Sequence, residues 1–305
     1  MKVIVFGSIN MDLVVTTPHL PQPGETLTGH TFFTAPGGKG ANQAVAASRL
    51  GAETIMVGRV GNDSFAGPLL ANLEANGVDV THVQTDTDVS SGVAFIAVDD
   101  TGENNIIIVP GANGRVDASD VDRLAGLIES SDVLLLQLEV PLTAVIAAAK
   151  VASQKQATII LDPAPAQPLP DELITLADII TPNETEASIL TGISVIDAVG
   201  AETAVRHLKQ QGAKQVMLKM GSTGAIWNSG NTIEHIPAFE VDAIDTVAAG
   251  DAFNGGLAAG LCARLPLTAA LNWGMAAGGL ATTKRGAQEA MPNRKALLDL
   301  IASRM

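Results

Sequence analysis

The sequence contains no tyrosine, and phenylalanine and tryptophan together supply only 3% of its 305 residues. A core with so few aromatic rings must be filled by Ala, Val, Leu and Ile, which is typical of a sheet packed between helices. Charged residues make up 16% of the chain and hydrophobic residues 47%. This balance excludes a disordered chain, and the length allows either one large α/β domain or two smaller domains.

Cysteine is limited to Cys262, so no disulfide can form within the chain. Cys262 lies in an apolar helical pattern, which predicts a buried structural thiol rather than a nucleophile. The first ten residues lack the apolar segment of a signal peptide, and no apolar run is long enough to span a bilayer. We therefore expect a cytoplasmic protein with no membrane partner.

Positive charge is scarce, because 18 Lys and Arg stand against 32 Asp and Glu, for a formal net charge of −14. This balance disfavours a nucleic-acid partner, since a phosphate backbone needs a basic footprint. Any anionic substrate must instead be bound by a local cluster of amides, lysine or metal. The sequence also lacks a Walker-type P-loop, a dinucleotide-binding glycine motif, a nucleophile elbow and histidines at metal-ligand spacing.

Short apolar runs alternate with helical patterns along most of the chain. Buried strands are predicted at residues 3–6, 54–60, 133–138, 158–161, 179–180 and 216–219. Helices are predicted at residues 41–50, 69–75, 141–152, 201–211, 249–265, 267–283 and 294–303. This alternation predicts an α/β fold with a mostly parallel central sheet and helices on both faces, and such sheets bind ligands at the carboxyl ends of their strands.

Two segments do not fit this alternation. Residues 13–33 are rich in Thr, Pro and Gly, and residues 92–109 have the pattern of a β-hairpin. We predict that the two segments pair into a small β-sheet beside the main domain, with an apolar face that a ligand or a second subunit would cover. The alternative is two surface loops.

The strongest local feature is a turn of small residues, Ala248, Ala249 and Gly250, that leads through Asp251 into a helix. Small residues let backbone N–H groups approach a ligand, and a helix N-terminus favours an anion, so we predict a site for a transferring phosphoryl group. The helix dipole should favour ionised Asp251, which could orient and deprotonate an attacking hydroxyl. Taken alone, Asp251 is better interpreted as a helix cap than as a base.

Two other clusters suit a polar ligand. Residues 37–43 place glycines before a helix, and Lys39 and Asn42 there could donate to hydroxyl groups; the alternative is an ordinary loop-to-helix junction. Asn10 and Asp12 follow the first strand, and the Asp12 carboxylate could accept hydrogen bonds from two adjacent sugar hydroxyls. Both residues could equally belong to a turn.

Three more candidates follow predicted strands. Asn183 and Glu186 could hold hydrated Mg²⁺ and phosphate oxygens, could form a capping box, or could do both. The turn Gly221–Gly224 could contact nucleotide phosphates or be a plain turn, and Glu139 would be costly to bury without a partner. A parallel sheet would bring these residues and Asn10 to one edge.

Six motifs together resemble the PfkB (ribokinase-like) family of carbohydrate kinases. They are GSINMD at 7–12, PGETLTG at 23–29, GGKGANQAVAASRLGA at 37–52, TPNETEA at 181–187, DTVAAGDAFNGG at 245–256 and KRGAQEAMP at 284–292. The Gly-Gly block and the AAGD block resemble the two hallmark motifs of the family, in the right order and separation. The resemblance runs nearly end to end and implies one kinase domain over residues 1–305, with the small sheet at about 13–33 and 92–109 as a lid.

The resemblance implies transfer of the ATP γ-phosphoryl group to a sugar hydroxyl, which is the 5-hydroxyl of D-ribose in the most similar members. Asp251 would be the catalytic base, with the amides of Ala248, Ala249 and Gly250 as the anion hole. The implied sugar-binding positions are Asn10, Asp12, Gly38, Lys39, Gly40, Ala41, Asn42, Glu139 and Asp251. The implied ATP-binding positions are Asn183, Lys219, Met220, Gly221, Ser222, Thr223, Gly224, Gly250, Asp251 and Met275.

The resemblance also implies two metal ions and a homodimer formed through the lid. Glu186 would hold Mg²⁺ through water. A monovalent cation, K⁺, would lie beside the anion hole at Asp245, Val247, Ala281, Lys284, Gly286 and Ala290. Family members often have Ser at the position of Ala290, so we expect weaker K⁺ activation here, and they often have His or Asn at the position of Met275 near the adenine.

Two alternatives remain at this point. One is a kinase of the same family for another furanose or a nucleoside, such as fructose or deoxyribose. The other is a non-catalytic sugar sensor on the same fold, which we rank lower because Asp251, the AAGD turn, Asn183 and Glu186 are all present.

Overall fold

The computed structural model describes residues 1–230 and 232–304, which form two β-sheets and the helices around them. The β-strands are β1 (Val3–Phe6), β2 (Asn10–Thr17), β3 (Thr31–Gly37), β4 (Thr54–Gly61), β5 (Val78–Asp86), β6 (Gly92–Asp99), β7 (Asn104–Val109), β8 (Val133–Leu136), β9 (Thr158–Leu161), β10 (Ile179–Ile180), β11 (Gln215–Lys219), β12 (Ala225–Ser229) and β13 (Thr232–Ile236). The α-helices are α1 (Lys39–Arg49), α2 (Ala66–Ala75), α3 (Ala118–Leu127), α4 (Leu142–Gln154), α5 (Asp171–Leu176), α6 (Glu184–Thr191), α7 (Ala198–Gln210), α8 (Ala249–Cys262), α9 (Leu267–Ala281) and α10 (Arg294–Ala302).

The larger sheet has the strand order β13-β12-β11-β10-β9-β8-β1-β4-β5. Its strands from β11 to β5 pair in parallel, and β12 and β13 add an antiparallel hairpin at one edge. All residues of β1 and β8 are buried, as expected for strands covered by helices on both faces. The predicted fold class is confirmed.

Several elements of this sheet and its helices were not predicted. The strand β5, the hairpin β12–β13 and the helices α3 and α5 were missed. Strands β5 and β13 lie at the edges of the sheet and expose many of their side chains, so their sequences lack the continuous apolar run of the central strands. The predicted helices are present, with ends that differ from the predictions by a few residues.

The smaller sheet, which we call the lid, has the order β3-β2-β6-β7. Its existence confirms the predicted pairing of the two irregular segments, but its first strand begins at Asn10, so Asn10 and Asp12 lie in a strand and not in a turn. A Cβ on Gly37 would overlap the Asp12 carboxyl group, and a Cβ on Gly92 would overlap the Asn10 side chain. These two glycines therefore leave room for polar side chains on the lid.

The helices α1 and α8 pack closely because α8 carries small residues where they meet. A Cβ on Gly255 would overlap the Ala46 side chain and would lie 2.8 Å from the Ala47 amide nitrogen and 2.9 Å from the Gln43 carbonyl oxygen. Cys262 ends α8, and burial raises the pKa of its thiol to about 11, in agreement with a structural role. Across residues 1–230 and 232–304, none of the helices is both long enough and apolar enough to cross a bilayer.

Replacing Gly255 with alanine should force α1 and α8 apart. Overpacking of this kind destabilises a fold by about 1–3 kcal/mol, and the atoms in the way, the Ala46 Cβ and two backbone atoms, cannot rotate aside. We expect a lower free energy of unfolding in urea and reduced activity, since α1 and α8 carry predicted site residues. The control is Gly126→Ala on α3, where an added Cβ meets nothing within 4 Å, and it should stabilise by about 0.5–1 kcal/mol. Equal stabilities of the two variants would contradict this packing account.

Candidate active site

The carboxyl ends of β1, β8, β9, β10 and β11 meet at one edge of the large sheet, and polar side chains gather there. Ser8, after β1, donates to Glu139, after β8, with 2.5 Å between Oγ and Oε2. Lys219 at the end of β11 forms an ion pair with Asp162, after β9, at 3.1 Å. Each contact joins a predicted candidate, Glu139 or Lys219, to a residue from another strand that was not predicted, at the edge where a parallel sheet collects its ligands.

Asp251 lies on the first turn of α8 and is 5% exposed. Its Oδ2 accepts from Nδ2 of Asn42 at 2.9 Å, and its Oδ1 accepts from Nε2 of Gln43 at 3.0 Å. Ala248 is the N-cap residue of α8, and no side chain caps the helix. The interpretation of Asp251 as a cap is therefore wrong, because its carboxyl group faces α1 and not the end of its own helix.

Burial raises the pKa of Asp251, while the charge of Lys39 and the hydrogen bonds from Asn42 and Gln43 act to lower it. The helix dipole was expected to favour the ionised form of Asp251, and burial acts in the opposite direction because it removes water from the carboxylate. A raised pKa brings a carboxylate closer to the working range of a base.

Within the described residues, the turn before Asp251 has two free amides of the predicted anion site, although the Ala249 amide is not one of them. Ala248 has φ 57° and ψ 13°, a left-handed conformation that is costly for a residue other than glycine and is found where function requires it. The Ala249 amide donates to the Thr246 carbonyl at 3.3 Å, whereas the amides of Gly250 and Asp251 belong to the first turn and have no acceptor within the helix. A Cβ on Gly250 would lie 3.2 Å from the Lys219 Nζ, so an ammonium group and helix amides border the same space.

The sugar-binding candidates line the space between α1 and the lid. Burial, followed by the charges of Glu139 and Asp251, raises the pKa of Asp12 to about 7. Burial acts to lower the pKa of Lys39, but nearby carboxylates, with Asp251 first, outweigh it and raise this pKa above its usual value. Lys39 therefore stays charged and balances the cluster of acidic groups. Asn42 Oδ1 is buried and has no hydrogen-bond partner within the described residues, which leaves an acceptor for a ligand hydroxyl.

Glu139 bonds to the start of α1, and Gly38 and Gly40 let this segment lie close to β1. Glu139 Oε2 accepts from the Lys39 amide at 3.0 Å as well as from Ser8, so this carboxylate has the partners that its burial requires. Gly38 has φ 89°, and a Cβ on Gly40 would lie 2.6 Å from the Ser8 amide nitrogen. Only glycine allows the loop to approach β1 this closely, and Ala41 continues α1 beside it.

The nucleotide candidates lie on the other side of Lys219. Asn183 and Glu186 form a complete capping box at the start of α6, so that alternative is confirmed. The Glu186 carboxylate still has lone pairs beyond its two bonds to Asn183, and burial raises its pKa while Lys219 acts to lower it. Residues Gly221–Thr223 form a short 3₁₀ turn after Met220, and Gly224 follows with φ 110°. Met275 is buried in α9.

Hydrogen bonds connect three of the six residues predicted to hold a monovalent cation. The two carboxylate oxygens of Asp245 accept from the amides of Val247 and Gly286, both at 3.0 Å. Ala281 ends α9 just before Lys284, and Ala290 is buried in a 3₁₀ turn. In the described part of the chain, no group of three or more His, Cys, Asp and Glu side chains is arranged to hold a metal. Carboxylate and carbonyl oxygens, which are present here, are nevertheless the ligands that K⁺ and Mg²⁺ prefer.

Sequence reasoning missed several residues of this site. Asp162 directly follows β9, so the rule that found Glu139 after β8 would have found it too. Gln43 belongs to the glycine block and lies one helical turn after Lys39, on the same face. Asn113 carried no such signal. It is buried in a 3₁₀ turn after β7, where it donates to Asn10 Oδ1 at 2.7 Å and exchanges hydrogen bonds with the backbone of Ile9.

Comparison with known proteins agrees with this geometry. Residues 1–294 match the family model for pfkB family carbohydrate kinases. A ribokinase from Haemophilus influenzae is 43% identical over 97% of both chains, and a deoxyribokinase from Salmonella typhi is 37% identical over 96% of both. The solved structure of Arabidopsis thaliana ribokinase complexed with ribose and ATP is 33% identical, covers 98% of both chains and superposes with a TM-score of 0.89. The chain therefore belongs to the pfkB family of carbohydrate kinases.

Proposed function

We propose that the protein phosphorylates D-ribose at its 5-hydroxyl with ATP, giving ribose 5-phosphate and ADP. The observation that carries this proposal is the placement of a buried carboxylate, Asp251, directly beside an anion site formed by the first turn of α8 and Lys219. A base next to a phosphoryl site is what transfer to a hydroxyl requires. The ribokinase relatives and the relative solved with ribose and ATP support the same reaction.

In this reaction Asp251 holds the sugar hydroxyl in line with the γ-phosphoryl group. The hydroxyl oxygen forms a bond to phosphorus as the bond from phosphorus to the ADP oxygen breaks, and ADP leaves with that electron pair. The hydroxyl proton moves to the Asp251 carboxylate late in the step, so a modest base is sufficient. The amides of Gly250 and Asp251 and the Lys219 ammonium stabilise the charge on the transferring group, and Ala248 and Ala249 shape the turn that presents them.

The lid supplies an apolar cover to the sugar. Its ladder pairs place Val14, Ile96, Ile106 and Phe33 on the same face as Asp12, because Val14 pairs with Phe33 and with Ile96, and Ile96 pairs with Ile106. Ile106 and Phe33 are exposed in this structure. Covering a bound sugar with this face would exclude water, which favours transfer over ATP hydrolysis.

Two ions complete the proposed chemistry. Glu186 would hold Mg²⁺ through water, and Asn183 would contact the ATP phosphates together with the turn that contains Ser222 and Thr223. Mg²⁺ accompanies ATP and neutralises phosphate charge. Asp245 and neighbouring carbonyl groups would hold K⁺ beside the start of α8, where a cation strengthens the anion site. The pairing of Asp245 with Gly286 supports this placement.

The choice of ribose over related sugars rests on Asp12 and Asn42. A carboxylate such as Asp12 binds two adjacent hydroxyls, and deoxyribose lacks the 2-hydroxyl of such a pair. The unpartnered Asn42 Oδ1 accepts from a third hydroxyl. Kinase activity toward deoxyribose is the second candidate function, because the deoxyribokinase relative is similar over almost the same length.

A homodimer formed through the lid is also part of this proposal. Phe32, Phe95 and Ile107 are exposed by 64%, 50% and 67%, and the ladder pairs place all three on the lid face opposite Asp12. A small sheet with apolar side chains on both faces needs cover, and patches of this kind mark protein interfaces. A second copy of the chain is the partner that supplies a matching apolar face.

Incubation of the protein with ATP, Mg²⁺ and a panel of sugars should release ADP fastest with D-ribose, and faster than with deoxyribose because deoxyribose lacks one hydroxyl of the adjacent pair that Asp12 would bind. The panel includes deoxyribose, fructose and a nucleoside, and each reaction is run with and without K⁺ and after chelation of Mg²⁺. K⁺ should raise the rate, and chelation should abolish it. Strong turnover of another sugar without turnover of ribose would contradict the ribose assignment.

Replacing Asp251 with asparagine should lower kcat by about 10²–10⁴-fold, because the group that accepts the hydroxyl proton is lost while the shape of the site is kept. Ribose affinity, measured by calorimetry, should change little. Asp122→Asn, at an exposed aspartate on α3, is the control and should keep full activity. A variant with the rate of the wild type would rule out Asp251 as the base, and loss of ribose binding would instead make it a binding residue.

Replacing Ile107 with lysine should convert the proposed dimer into a monomer, because a charge at the centre of an apolar interface is costly to bury. Sedimentation at micromolar concentration measures the change in mass. Ile196→Lys is the matched control, since Ile196 is 88% exposed and lies outside the lid. A wild-type protein that sediments as a monomer would contradict the dimer.

A further inference from the structure

Gln43 connects the base to a second buried carboxylate. Its side chain is fully buried on α1, and its Nε2 donates both to Asp251 Oδ1 at 3.0 Å and to Asp162 Oδ2 at 2.9 Å. A carboxamide nitrogen carries two hydrogens, so both are used. Asp162 in turn forms the ion pair with Lys219, whose ammonium group borders the anion site.

Gln137 sets the orientation of this carboxamide. It is fully buried after β8, and its Nε2 donates to Gln43 Oε1 at 2.7 Å. With its oxygen occupied in this way, Gln43 can only present its nitrogen to the two carboxylates. Gly7 leaves the room for Gln137, since a Cβ there would overlap Gln137 Oε1.

We propose that Gln43 is the positioning residue for the catalytic carboxylate of Asp251, oriented by Gln137, and that it joins the base to the Asp162–Lys219 pair at the phosphoryl site. Gln43 does not touch the sugar or ATP in this arrangement. It holds one oxygen of Asp251, while Asn42 holds the other, so that the plane of the carboxyl group is set before the substrates bind.

Gln43 also separates two negative groups that would otherwise repel each other. Asp251 faces Lys39 on α1, Asp12 on β2 and Asp162 after β9, with Lys219 of β11 behind Asp162. A hydrogen bond to the ionised form of a carboxyl group lowers its pKa. Loss of the Gln43 donor therefore raises the pKa of Asp251, and a base with a higher pKa is ionised only at higher pH.

This inference rests on the proposed function, and its test uses whichever sugar the wild-type protein phosphorylates. In Gln43→Met, which keeps the size of the side chain, the single-turnover rate of phosphoryl transfer should fall by about 10- to 100-fold. The sugar Kd should change by less than about 3-fold, and the acid limb of the rate profile should move up by about one pH unit. The control is Asn228→Leu, a buried carboxamide on β12 that bonds to Lys214 and Val216 at the other end of the sheet. It should lose stability and keep the rate and the pH profile.

Gln137→Met is the second variant, because it removes only the bond that orients Gln43. Its rate loss should be smaller, and it should add nothing further to the loss in Gln43→Met. A ¹³C NMR titration of Asp251, assigned with Asp251→Asn, needs no turnover and should show a higher midpoint in Gln43→Met than in the wild type. An unchanged midpoint, or rate losses that simply add, would overturn the inference. Absence of ribose turnover by the wild type would count against the proposed function alone.

Discussion

A carboxylate that is taken out of water must be held by donors, and the site depends on how this chain holds Asp251. Two neighbouring carboxamides of α1, from Asn42 and Gln43, each donate to one of its oxygens. Those bonds need α1 and α8 to lie close together, and the small residues Gly255 and Ala46 permit that approach. Small residues such as these, in a chain with few aromatic residues, therefore allow the two helices to pack closely.

The charges around Asp251 explain how a protein with a net charge of −14 can bind an anionic substrate. Glu139, Asp162 and Asp251 lie at one edge of the large sheet, near Asp12 of the lid. Burial, followed by the charges of Glu139 and Asp251, raises the pKa of Asp12, whereas the carboxylates around Lys39 outweigh its burial and keep it charged. Lys219 and the first turn of α8 supply the positive potential on the side where the phosphates belong. In the proposed reaction, the acidic groups would bind the sugar and the small positive cluster would bind the nucleotide.

The sheet, the lid and most candidate residues could be predicted from the sequence, because apolar strands and the polar residues that follow them leave a clear pattern. Asp162 was missed although it follows β9 in the same way that Glu139 follows β8. The cap interpretation of Asp251 failed because a local rule cannot show that α8 begins beside α1. The dipole argument left out burial for a related reason, since burial is a property of the packed molecule. Asn113 and Gln137 form hydrogen bonds to other residues of the protein, and no spacing in the sequence is typical of residues with that role.

The central claim is that the site beside Asp251 directs the phosphoryl group of ATP to the 5-hydroxyl of ribose. The most direct test is the ¹³C and ³¹P NMR spectrum of the product made from ¹³C-labelled ribose and ATP. The account predicts coupling to phosphorus centred on C5. A product phosphorylated at C1, or transfer of the phosphoryl group to water instead of sugar, would contradict it.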